Sequence, residues 1–292
     1  MASGTTDTTI LEDSLPTIVS SARIVRENEG VMQRLSTMEK LGEGDGLSWR
    51  EVSFAQLSAM DVGEQDMLAN PQQLSDALFT VTPTVTAIHT VITDRVKARI
   101  SKTALGKIGS LAQNAIERKK DEDGLTALDA ASVSLPGAGS TLTSGHIAAA
   151  GSRVQKGAGV EPSNAPWYAV LDGFQIKDLY DETTAGVGTY NIPEGETARV
   201  YKEGWKGSIN GVQVFMDNNI TIDAADDAKG GVFAKEALVL VQGRNSRVVT
   251  LRNEKLGGGA DELIMYDEYA YGERSSGNWL IEIYSDATTP TS

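Results

Sequence analysis

The side chains that could perform nucleophilic chemistry are few in this sequence. It contains 2 histidines, His89 and His146, and no cysteine. A Ser-His-Asp arrangement could be drawn from Ser144, His146 and one of many aspartates, but the sequence has no Gly-x-Ser-x-Gly turn to expose a serine. Ser144 and His146 are two residues apart, and side chains at that spacing on a helix do not face each other. We therefore predict that the protein is not an enzyme, with a small hydrolase as a distant alternative.

An acidic run in the second half of the chain has the alternating oxygen ligands of a calcium loop. These residues are Asp217, Asn219, Thr221, Asp223 and Asp227. Ile222 stands where such a loop needs glycine, and Ala228 stands where it needs glutamate. A weak divalent-ion contact at Asp223, Asp226 and Asp227 stays open. The sequence nevertheless favours a solvated acidic turn, and we predict neither a metal site nor a cofactor.

Phosphate and nucleic-acid chemistry has little support. No Gly-x4-Gly-Lys-Ser/Thr loop appears, and the glycines at 257–259 are typical of a turn between strands. The formal charge is -14, from 40 acidic and 26 basic residues, whereas affinity for phosphate backbones comes largely from Lys and Arg. The one modest basic cluster contains Arg244, Arg247, Arg252 and Lys255. It could contact DNA or pair with an acidic segment of another subunit, and we favour pairing because interfaces are enriched in Arg.

The first half of the chain predicts an arm, a hairpin and a long helix. Residues 1–46 form an extended N-terminal arm whose packing partners would come from a neighbouring subunit. Residues 49–54 and 79–92 alternate in polarity, which predicts two strands of one long hairpin. A short helix at 95–99 precedes a longer one, which Ser101 would cap and which would end by Gly124. Apolar residues recur along this longer helix at helical spacing.

The second half of the chain alternates helices and strands. The predicted elements are a helix within 142–156 capped by Thr143 or Ser144, a strand at 167–171, a turn at Asp172 and Gly173, a helix to 182, a strand within 207–220, an apolar segment at 237–241, a polar turn, and strands at 247–255, 264–271 and 279–284. This mixture predicts an α+β fold.

The length and composition of the chain indicate a globular protein that needs no disulfide bond to fold. The chain has 292 residues, 40% of them hydrophobic, and a compact fold of this size buries roughly 75% of its unfolded surface. Without cysteine it has no disulfide, which suits a reducing cytoplasm. No basic leader and no apolar run of roughly 20 residues is present. We therefore expect a soluble protein with no membrane partner.

The order of these elements resembles the major capsid proteins of tailed double-stranded DNA phages, which have the Hong Kong 97-like fold. The resemblance extends over residues 49–286 and is specific in three blocks, 166–182, 207–220 and 230–286. It implies an N-terminal arm (1–46), an extended β-hairpin loop (47–92), a peripheral domain with the spine helix (93–131), an axial domain (132–243) and a return to the peripheral domain (244–292).

The same resemblance implies a structural function. The chain would assemble with itself into hexamers and pentamers of an icosahedral virion shell, built in the host bacterial cytoplasm and enclosing double-stranded DNA without reading its sequence. Because the predicted arm begins almost at Met1, we expect a separate scaffolding protein together with a portal, and a decoration protein is a further candidate partner. An encapsulin-like nanocompartment shell is the alternative.

The candidate subunit contacts are aromatic and basic residues of the hairpin and of the C-terminal strands. They are Trp49, Arg50, Phe54, Arg244, Arg247, Arg252, Lys255, Tyr266, Tyr269 and Tyr271. Tyrosine, tryptophan and arginine are the types that protein interfaces favour.

Overall fold

The structure is a computed structural model that describes residues 5–6, 27–28, 30–62, 71–99, 102–157, 161–185, 207–256, 258–275 and 277–290. The helices are α1 (Met32–Leu35), α2 (Asp94–Arg99), α3 (Lys102–Thr126), α4 (Ser144–Lys156) and α5 (Gly173–Ala185), and a 3₁₀ turn, Ala127–Ala130, follows α3. The strands are β1 (Thr5–Thr6), β2 (Thr37–Lys40), β3 (Trp49–Phe54), β4 (Asp76–Val81), β5 (Thr84–Thr93), β6 (Ser134–Pro136), β7 (Trp167–Leu171), β8 (Ser208–Ile209), β9 (Val212–Met216), β10 (Asp227–Ala234), β11 (Leu238–Asn253), β12 (Ala260–Glu273) and β13 (Leu280–Asp286).

Two mixed sheets and one separate hairpin organise these strands. The six-stranded sheet has the order β6-β13-β10-β7-β9-β8, and the five-stranded sheet has the order β1-β5-β12-β11-β2. Strands β3 and β4 pair antiparallel as a two-stranded hairpin. The predicted α+β class is therefore confirmed.

The largest hydrophobic core lies on the six-stranded sheet. Phe233, Leu171 and Ile283 from three of its strands are fully buried there. Ile147 and Val154, two turns apart on α4, pack into the same core. The predicted strand at 167–171 and the predicted helix start after Thr143 both match the structure.

The long helix α3 differs from its prediction at its C-terminal end. Its predicted cap, Ser101, lies outside the described residues. The helix continues through Gly124 to Thr126, so the prediction that Gly124 ends it was wrong. A Cβ at Gly124 would lie 2.8 Å from Met32 Cβ and 3.0 Å from Tyr271 Cζ. This glycine lets two other segments approach the helix closely, and it does not form a cap.

The predicted strand at 79–92 is two strands in the structure. β4 ends at Val81 and pairs with β3, whereas β5 begins at Thr84 and pairs with β12. Pro83 lies between them, where its fixed φ and missing N–H interrupt a ladder. The hairpin is therefore shorter than predicted, and its second strand leads directly into the five-stranded sheet.

Strand β11 spans most of the predicted apolar segment at 237–241, the predicted polar turn and most of the predicted strand at 247–255. It runs continuously from Leu238 to Asn253 beside β12. The register shifts between Gln242 and Arg244 and again between Arg244 and Arg247. Such bulges take up extra residues and bend a strand without ending it, which is why this polar stretch does not form a turn.

The second part of the predicted N-terminal arm packs on its own chain. Met32 and Leu35 of α1 are buried in the main core, and α1 contacts α3. β2 then pairs in parallel with residues 239–242 of β11. For residues 31–40, the expectation that packing partners come from a neighbouring subunit was wrong, because Met32 and Leu35 join the main hydrophobic core of the same chain.

Candidate assembly surfaces

The β3–β4 hairpin exposes an apolar outer face. Val52 lies opposite Leu78, and Phe54 lies two residues further along the same face. These side chains are 48%, 61% and 73% exposed, respectively. Leu57 and Leu74, beyond the paired residues, are also exposed. Contiguous exposed apolar surface of this kind is typical of an interaction site.

The inner face of the hairpin is attached to the body of the protein. Trp49 and Phe79 meet edge to face with ring centroids 6.0 Å apart. Arg274 Nε donates to Glu51 Oε2 at 2.7 Å, and its guanidinium lies 5.7 Å from the centre of the Trp49 ring. Trp49 therefore stabilises the base of the hairpin, whereas Arg50 and Phe54 project from the opposite, exposed face.

The four predicted basic residues lie along β11 and the turn after it, but they differ in their partners. Arg252 hydrogen-bonds Asp94, Glu254 and Asp261, and the hydrogen bond with Asp94 is the main cause of a raised pKa of Arg252. Arg244, Arg247 and Lys255 are exposed. Arg244 lies 3.5 Å from one Glu268 oxygen, and Arg247 lies over the Tyr266 ring at 5.4 Å.

Two of the tyrosines predicted as subunit contacts pack against other parts of the same chain. Tyr269 is 3% exposed, and its hydroxyl donates to Asp123 Oδ2 of α3 at 2.8 Å. Tyr271 packs edge to face on Tyr269 with centroids 6.5 Å apart. Burial raises the pKa of both phenols. We assign these two residues to packing between β12 and α3, while Tyr266 remains on the accessible side.

A buried ionic network joins α3 to the bulged part of β11. Lys120 Nζ lies 2.7 Å from Asp267 Oδ2, and both side chains are largely inaccessible. Gln242, at the first bulge, donates to Asp267 Oδ1 at 2.6 Å. A buried ion pair is tolerated when further hydrogen bonds satisfy its atoms. This network fixes the helix at the point where the strand bends.

The residues considered for catalysis have other partners. His146 Nδ1 accepts the backbone N–H of Thr143 at 3.2 Å, and Ser144 Oγ donates to Glu182 Oε1 at 3.1 Å. Both residues therefore stabilise the start of α4. His89 lies on β5 and contacts Glu262 across the strands at 3.2 Å.

The acidic run forms a structured turn. Asp223 accepts the N–H groups of Ala225 and Asp227 at 2.8 and 3.1 Å, and it accepts the Tyr284 hydroxyl at 2.7 Å. The Tyr284 bond is the main cause of a lowered pKa of Asp223. Within the described ranges no group of three or more acidic or imidazole side chains is arranged to hold a metal ion.

Comparisons with known proteins decide the fold. No family model and no curated protein matches the sequence. The capsid structure of cyanophage P-SCSP1u matches with a TM-score of 0.69 at 15% identity, over 97% of this chain and 96% of that one. The head structure of Helicobacter pylori bacteriophage KHP40 matches with a TM-score of 0.70 at 12% identity, over 91% and 94%. The chain has the Hong Kong 97-like fold. The capsid of Ralstonia phage GP4 matches similarly, with a TM-score of 0.67 at 12% identity over 94% and 95%.

The candidate contacts predicted from the sequence include only part of the exposed face of the β3–β4 hairpin. Val52 and Leu78 lie on the same exposed face as Phe54, and Leu57 and Leu74 are exposed nearby in the sequence, yet only Phe54 was a candidate contact. The alternation of residues 49–54 includes Val52 and could have indicated it, but an apolar residue on a strand normally faces the core. No helix in the described part of the chain is both long and apolar enough to cross a membrane.

Proposed function

We propose that this protein is the major capsid subunit of a tailed phage and has no enzymatic role. It would assemble with itself into the hexamers and pentamers of an icosahedral virion shell. The observation that carries the proposal is the exposed apolar face of the β3–β4 hairpin on a chain with this fold. Covering an apolar surface on an extended hairpin with a neighbouring copy is favourable, because it removes apolar area from water.

We further propose that eight of the predicted residues contact neighbouring subunits. The set is Trp49, Arg50, Phe54, Arg244, Arg247, Arg252, Lys255 and Tyr266. Exposure supports most of them, and Trp49 would act from the base of the hairpin. Arg252 would contribute through the charge network it shares with Asp94, because its own hydrogen bonds are made within the chain.

The assignment of strands to the two sheets suggests how the subunit divides into domains. We propose that α3 and the five-stranded sheet form the peripheral domain, and that the six-stranded sheet forms the axial domain. β13 pairs with β10, and Leu280 and Ile283 are buried in the main core. In this proposal β13 therefore belongs to the axial domain, in place of the peripheral return predicted for 244–292. Residues 1–46 and 47–92 remain the proposed arm and extended loop, and both add strands to the five-stranded sheet, β1 and β2 from the arm and β5 from the loop.

The enclosed cargo would be double-stranded DNA, held without sequence-specific contacts. The formal charge of -14 supports this, since a strongly acidic subunit would not bind a phosphate backbone tightly. A scaffolding protein, a portal and a decoration protein are further partners that we propose from the resemblance to phage coat proteins. The protein would be located in the virion.

Electron microscopy of the purified protein tests the proposal. We expect closed shells of uniform size, from the chain alone or on co-expression with its flanking genes. A chain that remains monomeric under both conditions would rule out the shell function.

The hairpin face can be tested by a matched pair of variants. Phe54→Ser removes the most exposed aromatic of this face, whereas Phe54→Leu keeps an apolar side chain there. We expect the serine variant to fold normally by circular dichroism but to form few or no shells, and the leucine variant to assemble. Normal shells from the serine variant would remove Phe54 from the contact set.

A further inference from the structure

Two buried carboxylates are not explained by the proposed function. Asp121 on α3 is 0% exposed, and Asp217, which directly follows β9, is 1% exposed. The cations nearest to Asp121 in the sequence have other partners, because Lys120 pairs with Asp267, Lys119 pairs with Asp123, and Arg118 lies near Glu27 and Glu122. Burying a carboxylate without a cation is expensive unless it is neutral or well hydrogen-bonded.

Both carboxylates bind the segment that precedes and begins α1. Asp217 Oδ2 accepts the backbone N–H of Val31 at 3.1 Å, and Asp121 Oδ1 accepts that of Met32 at 3.0 Å. Asn219 joins the two: its backbone N–H donates to Asp217 Oδ1 and its Nδ2 to Asp121 Oδ2, each at 2.9 Å. Gly30 lies against the Asp121 carboxyl, where a Cβ would overlap it. The pair thus holds residues 30–36 to α3 and to the β9 loop.

The surroundings of the pair favour a neutral form of one carboxyl. Burial is the main cause that raises the pKa of Asp217 to about 7, and the adjacent Asp121 adds to it. The Val31 and Asn219 N–H groups act in the opposite direction but do not cancel this effect. The other ionisable groups around the pair include Glu117, Lys119, Lys120, Glu122 and Asp123 on α3, Tyr271 on β12, and Glu27, which lies near Arg118 of α3.

We propose that Asp121 and Asp217 share one proton, and that this proton keeps residues 30–36 docked on α3. A protonated Asp217 donates a hydrogen bond to Asp121, so the two acids attract instead of repelling. When the proton leaves, two buried anions face each other and docking weakens. The inference concerns the subunit alone and holds whether or not the chain forms shells.

The direction of the pH dependence follows from linkage. In the undocked state Asp217 is solvated and titrates near its ordinary value of about 4. The docked state therefore binds the extra proton between about pH 4 and about pH 7, and docking is strongest at the acidic end of that window. It weakens by roughly tenfold per pH unit across the window and is constant above about pH 8.

Hydrogen exchange of residues 30–36 in the full-length protein tests the proposal. Protection factors, corrected for intrinsic exchange, should fall by roughly a hundredfold between about pH 5 and about pH 7 and then level off. In Asp217→Asn the absolute protection should drop, because an amide nitrogen cannot accept the Val31 N–H. The pH dependence of protection should also disappear, because the amide does not titrate. Asp226→Asn, an exposed acid in the same acidic run, should retain the wild-type pH dependence.

Two results would overturn the shared proton. One is wild-type protection that does not change with pH, and the other is an Asp217→Asn variant that keeps the wild-type slope. If Asp217→Asn does not fold, infrared spectroscopy of the wild-type protein decides. A carbonyl band of a protonated carboxylic acid should be present near pH 6 and absent above about pH 8. A wild-type spectrum without this band at the lower pH would contradict the proposal.

Discussion

At Gly124 the absence of a side chain matters more than backbone freedom. The residue lies within α3, and Met32 and Tyr271 pack directly against it. Sequence reasoning assigned it to a helix end, which is where glycine most often has a local function. The contacts that explain it come from segments far away in the chain, so no local pattern could indicate them.

Replacing Gly124 with alanine should destabilise the protein although alanine is the better helix former. The added Cβ would lie 2.8 Å from Met32 Cβ, and overpacking of this kind costs about 1–3 kcal/mol. Gly109→Ala on the same helix is the control, since a Cβ there meets nothing within 4 Å. That change should stabilise by about 0.5–1 kcal/mol.

Urea denaturation of both variants measures the two changes in the free energy of unfolding. Equal, stabilising effects would show that α1 does not pack on α3 at this point. A destabilised Gly109→Ala variant would instead indicate that the exposed face of α3 has a partner in the purified state.

At the scale of elements, the β3–β4 hairpin is attached at one end and open on one face. Arg274 contacts both Glu51 and the Trp49 ring, and it also donates to the Glu236 carbonyl at 3.2 Å. The opposite face carries Val52, Phe54 and Leu78, which are exposed and belong to none of the hydrophobic clusters of the described residues. Arg274 thus reinforces an attachment that Val81 also makes by packing against Val239 and Val241.

Removing the Arg274 side chain should loosen the hairpin without unfolding the protein. In Arg274→Ala the Glu51 ion pair and the contact with Trp49 are lost together. We expect hydrogen exchange in residues 49–54 to accelerate by about tenfold, which corresponds to roughly 1.4 kcal/mol.

Arg50→Ala provides the comparison for this experiment. Its side chain projects from the outer face, so its loss should leave exchange in the unassembled subunit almost unchanged. Similar acceleration in both variants would mean that Arg274 does not anchor the hairpin specifically.

At the scale of the whole molecule, charge must be reconciled with close association. Each chain carries a formal charge of -14, and copies packed into a shell would repel one another. The exposed apolar hairpin must offset this repulsion in the proposed assembly. Arg244 and Arg247 supply local positive charge on an acidic surface.

Assembly should therefore become more favourable as salt is added. The screening length falls from about 30 Å at 0.01 M to about 8 Å at 0.15 M ionic strength, which weakens repulsion between distant charges. Light scattering at fixed protein concentration should show a rising assembled fraction over this range. A steady fall would indicate that Arg-carboxylate pairs, and not apolar contacts, dominate the interface.

The sequence by itself determined the order and type of most elements. Periodicity and turn residues are local properties, so β3, β7, α4, β12 and β13 could be predicted, and their order indicated the fold. Candidate contacts such as Phe54 and Arg247 could be proposed from residue type alone.

Only the tertiary structure decided which residues meet. It joined β11 across its polar stretch, paired β13 with β10, buried Tyr269 against α3 and brought Asp121 next to Asp217. Each of these depends on contacts between segments distant in sequence, and burial and pairing are properties of the packed molecule. For that reason the shared carboxyl pair and the open hairpin face could not be derived from local pattern.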